Sequence, residues 1–170
     1  MFLQGAYNST TSLMDDKLRN PGTYSPGSFP SGNLLPLNDP YRNTPLSASF
    51  SHVNNPVAES IVNNVLNDQA DAAKNIVDWV FLELRNNDLA SPGANVVQTR
   101  TALLRRNGEI VDVDGISPVY FKNIDANNNY TLVVRHRNHI GIATDPVANL
   151  QTIDLSGNSA TDFTLMNDAQ

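Results

Sequence analysis

The sequence predicts an all-β fold, an antiparallel β-sandwich of immunoglobulin-like or prealbumin-like type with a long proline-rich irregular N-terminal arm. Three observations carry this. Apolar residues gather in short β-branched and aromatic runs, foremost IVDWVFLELR at 76–85. Asn107-Gly108 separates two further strand-like runs, a turn signal with a backbone reason behind it. Turn residues recur at intervals of about ten residues with no alternation of strand and helix patterns.

Composition narrows the classes before any motif is read. A chain of 170 residues suits one domain, or a sandwich with an appended segment. Hydrophobic residues make up 40%, enough for a core, whereas charged residues are 16%, so Asn, Thr, Ser and Asp must supply the polar surface. That Asn-rich, Lys-poor surface predicts a secreted or cell-surface protein. A formal charge of −6 argues against nucleic acid and anionic lipid as partners, because phosphate binding needs a basic face. The absence of cysteine excludes a disulfide framework, thiolate zinc sites and cysteine nucleophiles. No apolar run approaches the roughly 20 residues that span a bilayer, so membrane insertion is not expected. The opening MFLQGAYNST lacks the basic and long apolar regions of a signal peptide, which predicts a mature form or an excised segment of a larger precursor.

Taken in order, Phe2 to Tyr7 reads as a short strand followed by a polar turn. Residues 15–58 hold Pro21, Pro26, Pro30, Pro36, Pro40, Pro45 and Pro56, a density that forbids a helix and interrupts any central strand. The same segment carries Tyr24, Phe29, Leu34, Leu35, Leu37, Tyr41 and Phe50, more apolar content than a solvated linker needs. It therefore predicts an ordered arm lying on the sandwich or on a neighbouring subunit. The organisation is residues 1–58 as strand and arm and 59–170 as the sandwich, forming one structural unit. Residues 60–75 admit a strand at Ile61 to Leu66 or a helix through Ala73; the Asn pairs and Val/Ile favour strand and turn.

In the run from Ile76, Val80, Leu82 and Leu84 share one face, and Trp79 and Phe81 the other, with Glu83 and Arg85 beyond them. A strand apolar on both faces must be covered on both, and the proline-rich arm is the expected cover. Asn107-Gly108 predicts a type I′ two-residue hairpin in which Arg106 faces Glu109, Leu104 faces Val111 and Ala102 faces Val113. After a turn through Gly115 and Pro118 come Val119 to Phe121, an Asn-rich loop over 123–129, and a long strand from Tyr130 to Ala143. Its even positions run Tyr130, Leu132, Val134, then polar His136 and Asn138, then Ile140 and Ile142. Short strands at Leu150 to Leu155 and Asp162 to Leu165 complete the pattern.

The segments IVDWVFLELR, ALLRRNGEIVDVDGISPVYF and NNYTLVVRHRNHIGIAT together resemble a β-rich domain recurrent in secreted and surface-anchored proteins of Bacteroidetes, and the RHRNH run is the most distinctive part of the likeness. The resemblance extends from FLQGAYNS to TDFT, with a longer stretch before Ile76 and the proline arm as departures. It implies an adhesive, haemagglutinin-like or otherwise extracellular module, export by the dedicated secretion system of that phylum, and no catalytic residues to carry over.

Several constellations invite chemistry. Asp112-Val113-Asp114-Gly115 is like the start of a calcium loop, but a complete loop needs a bidentate Glu at its twelfth position, where Asn123 stands. The reading is that these carboxylates end a strand and meet arginines, with calcium at Asp112 and Asp114 as the alternative. Arg135 and Arg137 are expected to project outward together and pair with Glu83, Asp112 or Asp114, while His136 and Asn138 satisfy backbone groups where the strand bends. His136 and His139 stand three apart, which on a continuous strand places them on opposite sides and argues against a shared metal ion. No cofactor is expected. Nor is catalysis: no nucleophile elbow is present, and His52, His136 and His139 lack motif partners. Trp79, Tyr24, Tyr41 and Tyr120 are candidate sugar platforms, with Trp79 in the most apolar strand reading as core. The expectation is thus a non-catalytic extracellular structural or adhesive module, a filament or matrix subunit in its specific form, whose partners are other copies of itself or neighbouring modules. The alternative is a carbohydrate-binding module with a glycan partner.

Overall fold

The computed structural model describes residues 1–19, 33–62, 64–86, 95–125, 128–144 and 147–148. These are all-β and antiparallel, with only single 3-10 turns at Pro40–Arg42, Leu46–Ala48 and Ala72–Lys74. Strands β1 (Tyr7–Asn8) and β2 (Leu13–Met14) form a small hairpin. Strands β3 (Ile76–Asn86), β4 (Val96–Arg105), β5 (Ile110–Val111), β6 (Asn129–His136) and β7 (His139–Ala143) form one sheet in the order β5-β4-β3-β6-β7. A further strand, β8 (Val147–Ala148), also pairs with β6.

The centre of the sheet is β3, because its run is apolar on both faces and every residue from Ile76 to Leu84 is buried. Val80 and Leu82 pack with Ala102, Leu104, Leu132 and Val134 on one face, which Leu3 and Met14 close from the N-terminal segment. On the other face, Trp79 and Phe81 pack with Leu103 and Val111, and Leu35, Tyr41 and Phe50 cover them. Leu35, Tyr41 and Phe50 thus supply cover that the two-sided pattern demands, while Tyr24 and Phe29 lie outside the described residues. Among the described residues, the layers over the sheet are irregular chain apart from the β1–β2 hairpin and the 3-10 turns at Pro40–Arg42 and Leu46–Ala48.

The ladder breaks its register between Ile76 and Asp78, where Ile76 opposes Arg105 but Asp78 opposes Leu104. Such a bulge lets two successive residues address one face. Val77 joins the Val80 cluster, and Asp78 lines a cavity beside it.

Several expected elements differ. The turn after β4 has the register Leu103↔Val111 and Leu104↔Ile110, one residue from that expected. Gly108 has φ +88, whereas Asn107 does not take positive φ, so the turn is not type I′. Its three-residue form, closed by Gly108 N–H to Arg105 O at 2.9 Å, arises because Arg106 and Asn107 donate their N–H groups to Asn75 O and Ala73 O, both 3.0 Å. Glu109 consequently pairs with Arg105 at 2.6 Å, while Arg106 Nε donates to Met14 O at 2.7 Å. Val113 lies past the end of β5 and does not oppose Ala102.

Phe2 to Ala6 is a turn rather than a strand, since Ala6 and Tyr7 both donate to Leu3 O at 3.0 Å. The described residues of 61–66 form neither strand nor helix: Ile61 and Val62 donate to Leu37 O and Val113 O, and Asn64 has φ +73. Residues 119–121 join no ladder; Val119 and Phe121 instead pack on the Val80 face. The long strand from Tyr130 to Ala143 is two strands, β6 and β7, reversing at Arg137-Asn138 with His136 opposite His139. The strands expected at 150–155 and 162–165 lie outside the described residues.

Candidate functional site

The bulge in β3 and the reversal between β6 and β7 meet at one corner of the sheet and assemble a buried polar cluster there. Asp78, 3% exposed, accepts from Arg137 Nη2 at 2.7 Å and lies 3.1 Å from His136 Nε2. Its Oδ1 also accepts the Trp79 amide at 2.7 Å. His136 is buried, and its Nδ1 accepts from the Asn138 amide at 3.2 Å. His139 Nδ1 stands 2.9 Å from that same nitrogen. The network assigns the His136 proton to Nε2, facing the carboxylate, and leaves a lone pair on Nδ1. Burial, and then the neighbouring His136, hold the His139 imidazole below the usual histidine range, against a smaller opposing pull from Asp78. Beside the cluster is a cavity of about 250 Å³ whose lining includes Leu3, Asp15, Lys17, Asp78, His136 and His139.

Arg135 belongs to the opposite face. Its Nη1 donates to Glu83 Oε1 at 2.7 Å, Nη2 donates to Ser49 O at 2.9 Å, and the guanidinium sits 4.5 Å from the centre of the Phe50 ring. Arg85 binds the other oxygen of Glu83. Glu83 is 4% exposed, so this carboxylate ties β3, β6 and the covering segment together. The carboxylate contact expected of Arg135 is therefore present. Arg135 and Arg137 do not share a carboxylate: Arg135 binds Glu83, whereas Arg137, where the chain reverses, binds Asp78.

Asp112 and Asp114 meet neither Arg135 nor Arg137. Arg100 Nη2 bridges both oxygens of Asp112 at 3.0 Å, and Arg100 Nε binds Glu59 at 2.6 Å. Burial works against the Arg100 charge, but these two carboxylates outweigh it and raise the guanidinium pKa. Glu59 also accepts the Thr101 hydroxyl at 2.7 Å. Asp114 caps a turn by accepting the amides of Ile116 and Ser117 at 2.9 and 2.8 Å together with the Ser117 hydroxyl. Burial pushes its carboxyl upward, yet those hydrogen bonds and Arg105 hold it below the usual range. Both carboxylates are thus bound within the fold, Asp112 by Arg100 and Asp114 by its own turn. Among the described residues, no group of three or more His, Cys, Asp or Glu side chains is arranged to hold a metal ion.

Of the candidate sugar platforms, Trp79 and Tyr41 are completely buried. Trp79 Nε1 donates to Pro36 O at 2.9 Å, and the Tyr41 hydroxyl donates to Trp79 O at 3.0 Å. Burial raises the Tyr41 hydroxyl pKa, with Asp78 adding to it. Tyr120 is 64% exposed, and Tyr24 lies outside the described residues. His52 is placed between Asp39, 3.1 Å from Nε2, and the Thr99 hydroxyl, 3.3 Å from Nδ1. Thr99 is wholly buried and packed against Val53, so this alignment offers no accessible nucleophile.

Sequence reasoning missed Asp78, Glu59 and Arg100. A signal existed for two of them: Asp78 and Arg100 are charges inside apolar strand runs, and a charge placed there must be paired. Glu59 sits in irregular chain and carries no such mark. No family model, curated protein or solved structure matches the chain.

Proposed function

We propose that the chain is a non-catalytic structural or adhesive module that works outside the cell, in line with its likeness to the β-rich domain of Bacteroidetes surface proteins. In this reading its architecture is a sandwich variant in which the proline-bearing segment supplies much of the second layer. The observation that carries the proposal is that the charged side chains of the RHRNH run are bound by carboxylates of the central strand β3. Arg135 is tied to Glu83, and Arg137 and His136 to Asp78, within the fold. A cluster used in this way stiffens a sheet that presents surfaces to partners. The acidic, cysteine-free and Lys-poor composition supports a place outside the cell, as a secreted or cell-surface protein. Its partners are other copies of the chain or neighbouring extracellular modules, in a filament or matrix.

Beads coated with the full chain test this reading. They should adhere to one another or to cell surfaces, and soluble chain should compete. Lack of adhesion, together with turnover of ester, amide or glycosidic model substrates, would overturn it. The carbohydrate-binding alternative now rests on Tyr120 alone among the described aromatics named for it. Glycan binding that is lost in Tyr120→Ala would favour that alternative.

A further inference from the structure

The adhesive reading makes no use of the ring-to-ring contact at the tip of the β6–β7 hairpin. The reversal at Arg137-Asn138 makes His136 and His139 cross-strand partners, and their Nδ1 atoms stand 2.9 Å apart. A gap of that length holds one proton, donated by one ring and accepted by the other; two N–H groups cannot both point into it. We propose that this pair is an acid-operated latch, which closes the hairpin tip while one proton lies between the rings and releases it when both rings become imidazolium.

The surroundings decide which ring yields. His136 is fixed: its side chain is 2% exposed, Nε2 faces Asp78 at 3.1 Å, and Nδ1 accepts the Asn138 amide at 3.2 Å. A proton arriving on that Nδ1 therefore opposes the Asn138 N–H as well as His139. The added charge finds its neighbours already paired. Asp78 on β3 is met by Arg137 at 2.7 Å, and Asp15, which lines the adjoining cavity of about 250 Å³, is met by Lys17 at 2.6 Å. Tyr41, near Asp78, has its hydroxyl pKa raised and stays neutral, and the Met1 α-amino group, whose residue lines a second cavity with His139, is itself a cation bonded to Gly108 O. Two imidazolium rings in contact thus repel with little to offset them. Burial and the neighbouring His136 already hold the His139 imidazole below the usual histidine range. His139 is the ring able to leave, being half-buried between exposed Asn138 and Ile140, whereas Ile142 packs against the Val80 cluster and confines the opening to the tip. Because His136, Asn138 and His139 line the cavity with Leu3 and Lys17, the movement opens it to solvent.

Acid titration of the full chain, followed by nitrogen-15 NMR of the imidazoles and by hydrogen exchange, tests the proposal. The two rings should take up protons in coupled steps, the last of them below the usual histidine range. With that last step, protection of the amides at the start of β7 should fall by at least about ten-fold, while the fluorescence of Trp79, the only tryptophan, stays native. His139→Asn, at a half-buried position, keeps a hydrogen-bonding side chain that takes no proton and can turn its oxygen toward a protonated His136. Its protection should change by less than about two-fold over the same range. Unchanged protection once both rings are protonated, an equal loss in His139→Asn, or loss of the native Trp79 signal at the same pH would overturn the latch. None of these results bears on whether coated beads adhere, so the latch and the adhesive reading fail or stand separately.

Discussion

Replacing Asp78 by Ala should destabilise the fold by about 3 kcal/mol. Breaking a buried ion pair by removing one partner costs about 3–5 kcal/mol, because the remaining charge is left uncompensated. The Asp78 side chain is 4% exposed and that of Arg137 19%, so the freed guanidinium can partly turn to water and the lower end of that range applies. The loss of the His136 contact keeps the cost from falling further. Asp78→Asn keeps the volume and one acceptor, and should cost about half as much. The only tryptophan, Trp79, is buried beside the substitution and reports unfolding in urea by its fluorescence. A cycle built from Asp78→Ala, Arg137→Ala and the double variant should give a coupling energy above about 1 kcal/mol. A loss below about 0.5 kcal/mol for Asp78→Ala, or additive single effects, would refute the view that this pair clamps the corner of the sheet.

Other perturbations separate the remaining contributions. Tyr41→Phe removes a buried hydroxyl bonded to Trp79 O and should lower stability by about 1 kcal/mol or more in urea titrations, since the carbonyl loses a partner. Gly108→Ala should cost at least about 1 kcal/mol, because the residue has φ +88 and an added Cβ would approach Met1 O to 2.9 Å; a neutral effect would contradict the turn geometry. His139 is harder to protonate folded than unfolded, so its contribution is present above the unfolded value and lost as pH falls through the lowered folded value. Wild type should therefore gain stability with rising pH across that window, and His139→Ala should show a flatter curve. Asp114, whose carboxyl is lowered, contributes above the ordinary carboxylate pKa and loses that contribution as pH falls through its folded value. Asp114→Asn should accordingly be less stable than wild type at pH 7, with the gap closing in acid. Calcium should leave the melting temperature unchanged, because Asp112 is held by Arg100 and Asp114 by its turn.

What could be read from the sequence were the features set by strong local signals. The two-sided apolar run at β3 identifies the central strand and separates Trp79 and Phe81 from Val80 and Leu82. It also requires a cover, and Leu35, Tyr41 and Phe50 provide it. Strand alternation places Arg135 with Glu83. Some misses arise because tertiary hydrogen bonds shift a strand by one residue without altering its composition. The bulge at Val77 turns Asp78 toward His136, and nothing in VDWV marks it. Arg137-Asn138 lacks the glycine that flags tight reversals, so a hairpin reads as one strand and its cross-strand histidines appear to diverge. The Asn107-Gly108 turn was recognisable, but the pull of Asn75 O and Ala73 O on its amides, supplied from outside the hairpin, set its type and register.

Paired measurements on Arg135→Ala and Arg137→Ala test whether the arginines of the RHRNH run act within the fold. Each variant should be followed by urea denaturation and by adhesion of coated beads under conditions where it remains folded. Stability losses of about 1–3 kcal/mol are expected, smaller for the more exposed Arg135, with adhesion by the folded protein retained. Unchanged stability with adhesion abolished would contradict that role and make the cluster a binding surface.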